Sequence, residues 1–439
     1  MFALLRLPAL CSRPAVLSSA VQKPRSLCAA AAAAAAPPAA AAPPAPTAEQ
    51  QFVSWPGLLD WRARSANAAT AWGPKGPVIP AAAPADTLSP EAAAVATAIA
   101  AHSAQPLPAS LADAGRAVLQ TPDPLGKAAL TFRAWRAYRE GALGVGAADA
   151  PEGPPARPPQ PQLVPPRQIP SMDASSLPKA VYMLHNLAHV ELNAIDLAWD
   201  TVVRFSRFGL PPAFYADFAR VADDESRHLA WCIQRLRELG YDYGSMPAHN
   251  LLWEGCEMSA GDLGARLAIV PMSQEARGLD AGDRLSKRLV GLGDNRTAAI
   301  VRQIAAEERA HVAVGVTWFH AICAGAGVDP GPTFRRLLLD LCPGLLKGPF
   351  NDAERQLVGL PAAWYDARLW EPEMRDAALA AVAAANKAEY SGTPAAQAGS
   401  GAGSASAALA PVAQPEQLRQ IAARLATMLD LEVQTATSA

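Results

Sequence analysis

The sequence predicts an all-α protein built on a bundle of four long helices, with an extra N-terminal helical segment and disordered termini. Apolar residues recur at helical spacing over four long stretches between about residues 178 and 324, and no alternating strand pattern interrupts them. Four helices of similar length are typical of a helical bundle.

Composition excludes several other classes of protein. The chain has 439 residues, with 38 Lys+Arg against 40 Asp+Glu, so its formal charge of -2 gives no sign of a polybasic surface for nucleic acid or membrane. We expect no membrane span, because no window holds about 18 strongly apolar residues without interruption. The 6 cysteines have no Cys-x-x-Cys spacing, which argues against a zinc ribbon or a disulfide scaffold.

The N-terminal segment predicts an organellar transit peptide over residues 1–48. This segment contains arginines and serines but no acidic residue, a composition typical of chloroplast and mitochondrial targeting. We prefer the chloroplast slightly. The alternative is a disordered Ala/Pro extension without a targeting role.

The rest of the chain divides by composition. Residues 49–150 are predicted to form an N-terminal extension with short helices, and residues 171–390 the bundle. Between them, residues 151–170 form a proline-rich connector, which is either a stiff extended linker or an ordered strip along the domain surface. Residues 391–413 read as a flexible Gly/Ser/Ala linker and residues 414–439 as a short C-terminal helix.

The four predicted bundle helices have recognisable ends. They cover about residues 178–208, 213–239, 254–279 and 294–324. Ser175 or Ser176 can cap the first helix, Gly240 is a suitable residue just past the second, and Asp294 can cap the fourth. Pro271 interrupts the third helix, where it either opens the helix or makes a packing kink.

Two of these helices carry a Glu-x-x-His motif. The second contains Asp224-Glu225-Ser226-Arg227-His228 and the fourth Glu307-Glu308-Arg309-Ala310-His311. Residues three apart lie on one helical face. Glu191 on the first helix precedes Glu225 by 34 residues, and Glu275 on the third precedes Glu308 by 33. This near-equality indicates an internal repeat of one Glu helix followed by one Glu-x-x-His helix.

The repeat predicts a pair of metal ions inside the bundle. One Glu from each of two helices, with Glu-x-x-His from the other two, is the ligand pattern of carboxylate-bridged dinuclear bundles. The glutamates lie on apolar stripes and therefore point inward, where an unpaired charge is costly. A solvated surface Glu–His contact is the alternative. The predicted ligands of two iron ions, or of manganese, are Glu191, Glu225, His228, Glu275, Glu308 and His311.

The chain also resembles a known family. The stretch 185–200, HNLAHVELNAIDLAWD, is similar to the first-helix signature of an uncharacterised ferritin-like family, domain of unknown function 455. Stretches 222–228, 266–271, 275–280 and 346–351 resemble it as well, and the resemblance covers about residues 110–365. It implies a ferritin-like bundle related to rubrerythrins and to a tRNA-modifying di-iron monooxygenase, with all six ligands matched. It implies no settled reaction.

Other residues are weaker candidates for contacts with the ligands. Asp224, Asp196 or Asp200 is placed to accept the second N–H of a ligand imidazole, although solvated acids are an equal alternative. Arg227 and Arg277 adjoin ligand positions and can balance their charge, or form surface pairs. Cys232 either lines a substrate channel or is a buried thiol. His185 and His189 share a helix face with each other but not with Glu191, so they are ligand-supporting or core groups.

Three functions remain open from the sequence. The first is an O2- or peroxide-activating oxidoreductase acting on an unknown small-molecule or macromolecular substrate, with an external electron donor if it is a monooxygenase. The second is iron oxidation and handling or peroxide scavenging, although the lack of a Cys-x-x-Cys pair disfavours a self-contained rubrerythrin. The third is a helical scaffold whose metal is structural or lost.

Overall fold

The computed structural model describes residues 54–391, apart from residues 66, 85, 86 and 105. The transit peptide predicted over residues 1–48 and the helix predicted over 414–439 lie outside this part of the chain. The linker predicted over 391–413 lies outside it too, except for its first residue.

The regular secondary structure of the described chain is helical apart from one small hairpin, which confirms the all-α prediction. Its α-helices are α1 (Gly57–Ala63), α2 (Pro90–Ala101), α3 (Leu111–Gln120), α4 (Pro124–Arg139), α5 (Lys179–Arg204), α6 (Pro212–Glu238), α7 (Leu251–Met258), α8 (Leu263–Ile269), α9 (Ala276–Gly291), α10 (Asn295–Ala326), α11 (Pro330–Leu341), α12 (Asp352–Leu357), α13 (Ala362–Tyr365) and α14 (Pro372–Ser391). A π-helical segment, Val270–Glu275, joins α8 to α9. The antiparallel strands are β1 (Ala71–Gly73) and β2 (Gly76–Val78). Short 3₁₀ turns occupy Pro80–Ala82, His102–Ala104, Pro166–Gln168, Ser206–Phe208, Pro343–Leu346 and Ala367–Leu369.

Four long elements form the predicted bundle. Helix α5 packs along α6, α9 packs along α10, and the contact of α6 with α10 joins the two pairs. The π-helical segment also packs on α10. Trp199, Trp231 and Trp318 on these helices are fully buried. Trp199 donates to Thr131 of α4 and Trp231 to the Ala69 carbonyl, so these two indoles pack the N-terminal extension against the bundle. The packing of the four elements places one face of each long helix towards a common interior.

The helix ends predicted at Gly240 and Asp294 hold, and one predicted cap fails. Gly240 follows α6 with a φ of 81°, and Gly327 follows α10 with a φ of 69°, a conformation that glycine adopts without steric cost. Asp294 caps α10 through Thr297 N. The cap predicted at Ser175 or Ser176 is wrong: α5 begins at Lys179, after Pro178, with no side-chain cap.

The single helix predicted over 254–279 is also wrong, because the structure divides it. Helix α7 ends at Met258, and Asp262 starts α8 by accepting a hydrogen bond from Ala265 N. Pro271 then removes an N–H from the helical ladder, and the chain widens into the π-helical segment. The Ser273 hydroxyl donates to Ala268 O, 2.7 Å away, at the same point.

The N-terminal helices pack on the outside of the bundle. Helix α3 contacts α5, α4 contacts α6, and α1 contacts α10. The proline-rich connector lies along the surface: Val164 N donates to Ala248 O, and Ala248 N donates to Gln162 O. The Arg157 guanidinium anchors it by donating to Asp196 and to Asn193. Of the two alternatives for residues 151–170, the structure shows the ordered strip.

The C-terminal helices α11–α14 follow the bundle in the chain. Helix α11 packs on α8 and α10, and α14 packs on the turn Pro343–Leu346. Within the part of the chain that the structure describes, no helix by itself has the length and apolar composition to cross a membrane. Helices α10 and α11 meet that criterion only together, across a bend of 106°.

Candidate metal centre

The six predicted ligands come from the four bundle elements and meet in the interior. Glu191 lies on α5, Glu275 ends the π-helical segment, and α6 and α10 each provide a Glu-x-x-His pair. Glu225, His228 and His311 are 0% exposed, Glu191 is 2% exposed and Glu308 is 5% exposed; Glu275 is partly exposed. A cluster of this charge in the core needs compensation.

The donor atoms form two overlapping groups. Glu191, Glu225, His228 and Glu308 bring one oxygen or nitrogen atom each to within 4.8 Å of one another, and Glu225, Glu275, Glu308 and His311 do the same. Two donors bound to one first-row divalent ion at about 2.0–2.2 Å lie up to about 4.4 Å apart. Because both groups contain Glu225 and Glu308, these two carboxylates would be shared by two ions bound at these positions.

The imidazole Nδ1 atoms face the shared carboxylates. His228 Nδ1 lies 3.2 Å from Glu191 Oε2 and 3.3 Å from Glu225 Oε2. His311 Nδ1 lies 2.8 Å from Glu225 Oε1 and 3.3 Å from Glu308 Oε2. Each histidine therefore directs the same ring atom to the shared interior.

The opposite ring atoms contact carboxylates outside the group of six. His228 Nε2 lies 3.0 Å from Glu307 Oε2, and His311 Nε2 lies 3.3 Å from Asp224 Oδ2. When Nδ1 binds an ion, Nε2 carries the hydrogen and donates it to these oxygens. Carboxylates in this position fix the tautomer and ring orientation of a metal-binding histidine.

Arg227 links these two outer carboxylates. Its side chain is 2% exposed, and its Nη2 contacts both Asp224 Oδ1 and, at 3.0 Å, Glu307 Oε2. Burial disfavours the charged guanidinium, but the charges of Asp224 and Glu307 outweigh it and raise the pKa of Arg227 above its ordinary value. The arginine therefore stays charged and holds the outer carboxylates of α6 and α10 together.

The pKa values of the four glutamates shift in different directions. Burial, followed by the charge of Glu225, raises the pKa of Glu191 and of Glu275 well above the ordinary value, and raises that of Glu308. Burial opposes ionisation of Glu225 too, but His311 and His228 hold the pKa of this carboxyl well below its usual range. Two divalent cations, with four positive charges, would balance four ionised carboxylates and replace the protons that otherwise relieve their repulsion.

Unsatisfied polar atoms test whether these residues suit a metal. Glu225 Oε1, Glu308 Oε2 and His311 Nδ1 are buried and have no hydrogen-bond partner within the described chain. Glu225 Oε1 and His311 Nδ1 lie 2.8 Å apart without hydrogen-bond alignment. All three atoms belong to residues of the second group of donors. Since buried polar atoms are rarely left without a partner, this cluster fits a cation.

Three further predicted candidates lie at the site. Asp224 and Arg227 contact the ligand histidines or their carboxylate partners, as described above. Cys232 is fully buried, and burial together with the charges of Glu191 and Glu225 raises the pKa of its thiol well above the ordinary value. The thiol is therefore neutral beside the carboxylates.

The remaining candidates make other contacts. His189 Nδ1 lies 2.7 Å from the Tyr243 hydroxyl, and His185 Nε2 accepts from Gly244 N, so both hold the loop that follows α6. Arg277 donates to the carbonyls of Leu345 and Lys347.

Asp196 and Asp200, the other two acids predicted to accept from a ligand imidazole, also make other contacts. Asp196 pairs with Lys127, and Asp200 with Arg266. Both are buried ion pairs that join α5 to neighbouring elements.

Sequence reasoning did not identify Glu307 as a partner of His228. One signal was present: an acid immediately precedes the ligand Glu in both motifs, Asp224 in one and Glu307 in the other. Gln303 Nε2 also donates to Glu307 Oε1 at 2.7 Å, so this carboxylate is held from its own helix as well.

Comparisons with known proteins identify the family of the chain. Residues 120–366 match the protein family described as "Protein of unknown function (DUF455)". An uncharacterized protein of Haemophilus influenzae is 36% identical over 209 residues, which are 46% of this chain and 73% of that protein. A 3-demethoxyubiquinol 3-hydroxylase of Aromatoleum aromaticum is 33% identical over 122 residues, 26% of this chain and 54% of the hydroxylase. The match thus spans about half of that enzyme. No solved structure gives a significant match.

Proposed function

This chain belongs to the DUF455 family of proteins of unknown function, and we propose that it is a ferritin-like di-iron carboxylate oxidoreductase that activates O2 or peroxide. The observation that carries this proposal is the pair of donor groups that share Glu225 and Glu308. Chance clusters of acids do not explain two overlapping groups that each contain one imidazole and that lie in the core of a four-helix bundle.

Each residue has a distinct role in this proposal. Glu191 and His228 would hold one ion, Glu275 and His311 would hold the other, and Glu225 and Glu308 would bridge them. Six side chains do not fill the coordination positions of two iron ions, so room remains for an oxidant. Bound iron would supply the electrons that reduce O2 or peroxide.

The chain itself controls the surroundings of the site. Asp224 and Glu307 orient the imidazoles, and Arg227 keeps these two carboxylates ionised and in place. The core around the five buried ligands keeps bulk water away from them, which strengthens electrostatic interactions and limits side reactions of a reactive oxidant; Glu275 is the partly exposed member of the six. These properties suit a site that directs an oxidant at a substrate.

An oxidoreductase is favoured over the other two functions by the relationship to a hydroxylase. The curated relative acts on 3-demethoxyubiquinol, according to its name, and it matches 26% of this chain. We therefore propose an organic substrate of unknown identity. Cys232, Cys256, Cys323 and Cys342 are separate buried thiols, so we propose that electrons come from an external donor.

Metal content tests this proposal. The full chain is loaded with Fe(II) without oxygen, freed of excess metal and analysed, and we expect two iron ions per chain. The double variant Glu225→Ala/His228→Ala should lose the iron, and His102→Ala, which removes a histidine outside the bundle, should keep it. Circular dichroism checks that each variant folds. A wild-type chain that binds no transition metal overturns the proposal.

Exposure to O2 separates the oxidoreductase from iron handling. We expect oxidation to stop after the two bound ions of each chain, with further turnover only when a substrate and an electron donor are supplied. Repeated oxidation of added Fe(II) with release of ferric mineral would instead assign the protein to iron handling. Iron that binds but does not react with O2 or peroxide would leave a scaffold with a structural metal.

A further inference from the structure

The short helix α1 brings an indole to the metal centre. Trp61 is 6% exposed, and its Nε1–H donates to Asp224 Oδ2 at 2.8 Å. The same oxygen lies 3.3 Å from His311 Nε2. A continuous hydrogen-bonded line therefore runs from Trp61 through Asp224 to a histidine that faces the second group of donors.

The indole is held from several sides. Its ring meets the His311 ring edge-on, with centroids 6.4 Å apart. The Arg220 guanidinium lies 4.5 Å from the centroid of the indole, within the range of a cation–π interaction. Arg220 also donates to the carbonyl of Arg62, in the last turn of α1, and to that of Arg64, just after it. Trp61 is therefore fixed in one orientation rather than packed loosely.

The segment that carries Trp61 is anchored on both Glu-x-x-His helices. Arg62 pairs with Asp217 of α6 at 2.6 Å. The Ser54 hydroxyl lies 3.1 Å from the Ala313 carbonyl and 2.6 Å from the Thr317 hydroxyl, both on α10. Residues 54–64 thus lie across α6 and α10 at the edge of the metal centre. They also lie before residue 120, where the match to the family begins.

We propose that Trp61 is a positioning residue for the ion that Glu275 and His311 would bind, so that the metal centre extends beyond the part of the chain shared with the family. This inference rests on the proposed function. Asp224 accepts from Arg227 on one oxygen and from Trp61 and His311 on the other. The indole N–H fixes the rotation of the carboxylate, and the carboxylate fixes the imidazole.

Two matched variants of the full chain test the role of the N–H group. Trp61→Phe removes the donor and keeps an aromatic ring. Trp72→Phe makes the same change at a tryptophan of β1 that is 5% exposed, packs on Trp231 and makes no described contact with Asp224.

The probe is Co²⁺, titrated without oxygen and followed by visible absorption. We expect Trp61→Phe to weaken one of two bound ions by up to about 10-fold, the low end of the effect of losing a direct partner of a metal-bound histidine, because Trp61 acts on His311 through Asp224. Trp72→Phe should bind both ions as the wild type does.

A double-mutant cycle assigns the effect to one ion. In a His228→Ala background, where the ion at His311 remains, Trp61→Phe should weaken Co²⁺ binding by the same factor. In a His311→Ala background it should have no further effect on the remaining ion. An equal loss in both backgrounds would mean that Trp61 only stabilises the fold, and it would overturn the inference.

The outcomes separate this inference from the proposed function. If the wild type binds two cobalt ions and Trp61→Phe binds them equally well, only the role of Trp61 is overturned. If the wild type binds neither Co²⁺ nor Fe²⁺, the proposed function falls and the inference falls with it.

Discussion

His228 on α6 is oriented by Glu307 on α10, with Nε2 and Oε2 3.0 Å apart. The reverse contact joins His311 on α10 to Asp224 on α6 at 3.3 Å. Each of these acids directly precedes the ligand Glu of its own motif. Helices α6 and α10 therefore each provide one ligand imidazole and the carboxylate that orients the imidazole of the other helix. The two halves of the internal repeat therefore support each other.

Because Glu307 contacts His228, we predict that Glu307→Gln weakens binding of the ion at His228 more than binding of the ion at His311. The amide keeps the shape of the side chain but accepts a hydrogen bond less strongly than a carboxylate, so the affinity for one ion should fall by about 10–100-fold. Equilibrium titration with Co²⁺ measures the two affinities. Glu354→Gln is the control. Glu354 of α12 pairs with Arg309, which lies on the same helix as Glu307, and Glu354 has no described contact with a ligand histidine. Equal weakening of both ions by Glu307→Gln would contradict the crossed arrangement.

Removing Arg227 should destabilise the metal-free protein strongly. Arg227→Ala leaves Asp224 and Glu307 close together in the interior without their shared cation. Loss of one partner from a buried ion pair costs about 3–5 kcal/mol in the free energy of unfolding. Urea denaturation measures this cost. Arg207→Ala is the control, since Arg207 and Asp149 are 61% and 81% exposed and should contribute less than about 1 kcal/mol. If Arg227→Ala unfolds at the same urea concentration as the wild type, the proposed role of Arg227 in holding Asp224 and Glu307 is contradicted.

A methyl group at Gly315 should push the π-helical segment away from α10. A Cβ there would lie 2.6 Å from Pro271 Cβ and 3.1 Å from Met272 Cγ. Gly315→Ala should therefore lower the free energy of unfolding by about 1–3 kcal/mol, as overpacking does. Gly291→Ala in α9 meets no atom within 4 Å and should be neutral or stabilising by up to about 1 kcal/mol. Thermal unfolding compares the two variants, and equal melting temperatures would show that this close approach does not constrain the segment.

Stability should depend on pH through Glu238, at the end of α6. Burial opposes its ionisation, but hydrogen bonds from Arg296 and Gln234 lower the pKa of this carboxyl from 4.5 to about 2. Because the folded-state pKa is lower than the unfolded one, Glu238 stabilises the fold fully above pH 4.5 and loses this contribution as the pH falls towards 2. Glu238→Gln should cost about 1 kcal/mol at pH 7 and progressively less below pH 4.5.

Urea midpoints of the wild type and Glu238→Gln at pH 7, 5 and 3.5 measure this dependence. The exposed Glu373 provides the control variant, Glu373→Gln, for which we expect no difference at any of these values. A difference between wild type and Glu238→Gln that is as large at pH 3.5 as at pH 7 would contradict the assignment.

The fold was predictable where the signals were local. Apolar stripes define α5, α6 and α10, and Asp294 and Gly240 mark helix ends by their own chemistry. The third bundle element was not predictable in detail. Its division depends on how the chain packs around Pro271 and Gly315, two residues brought together from different helices.

The ligands were predictable from spacing, but their partners were not. The paired Glu-x-x-His motifs locate Glu225 and Glu308 on inward faces. Glu307 has Ile300, Ile304 and Val314 at helical spacing, but this pattern does not show which histidine the carboxylate contacts, because that depends on how α6 packs beside α10. Trp61 lies 163 positions from its acceptor, Asp224, and no sequence periodicity connects residues so far apart.

Anomalous diffraction from crystals grown with Mn²⁺ or anaerobic Fe²⁺ tests the central claim most directly. Two peaks are expected about 3.5–4 Å apart, the usual spacing of a two-metal site. Glu225 and Glu308 should contact both, with Glu191 and His228 on one peak and Glu275 and His311 on the other. A single peak, or peaks bound away from these six side chains, would contradict the shared-bridge arrangement.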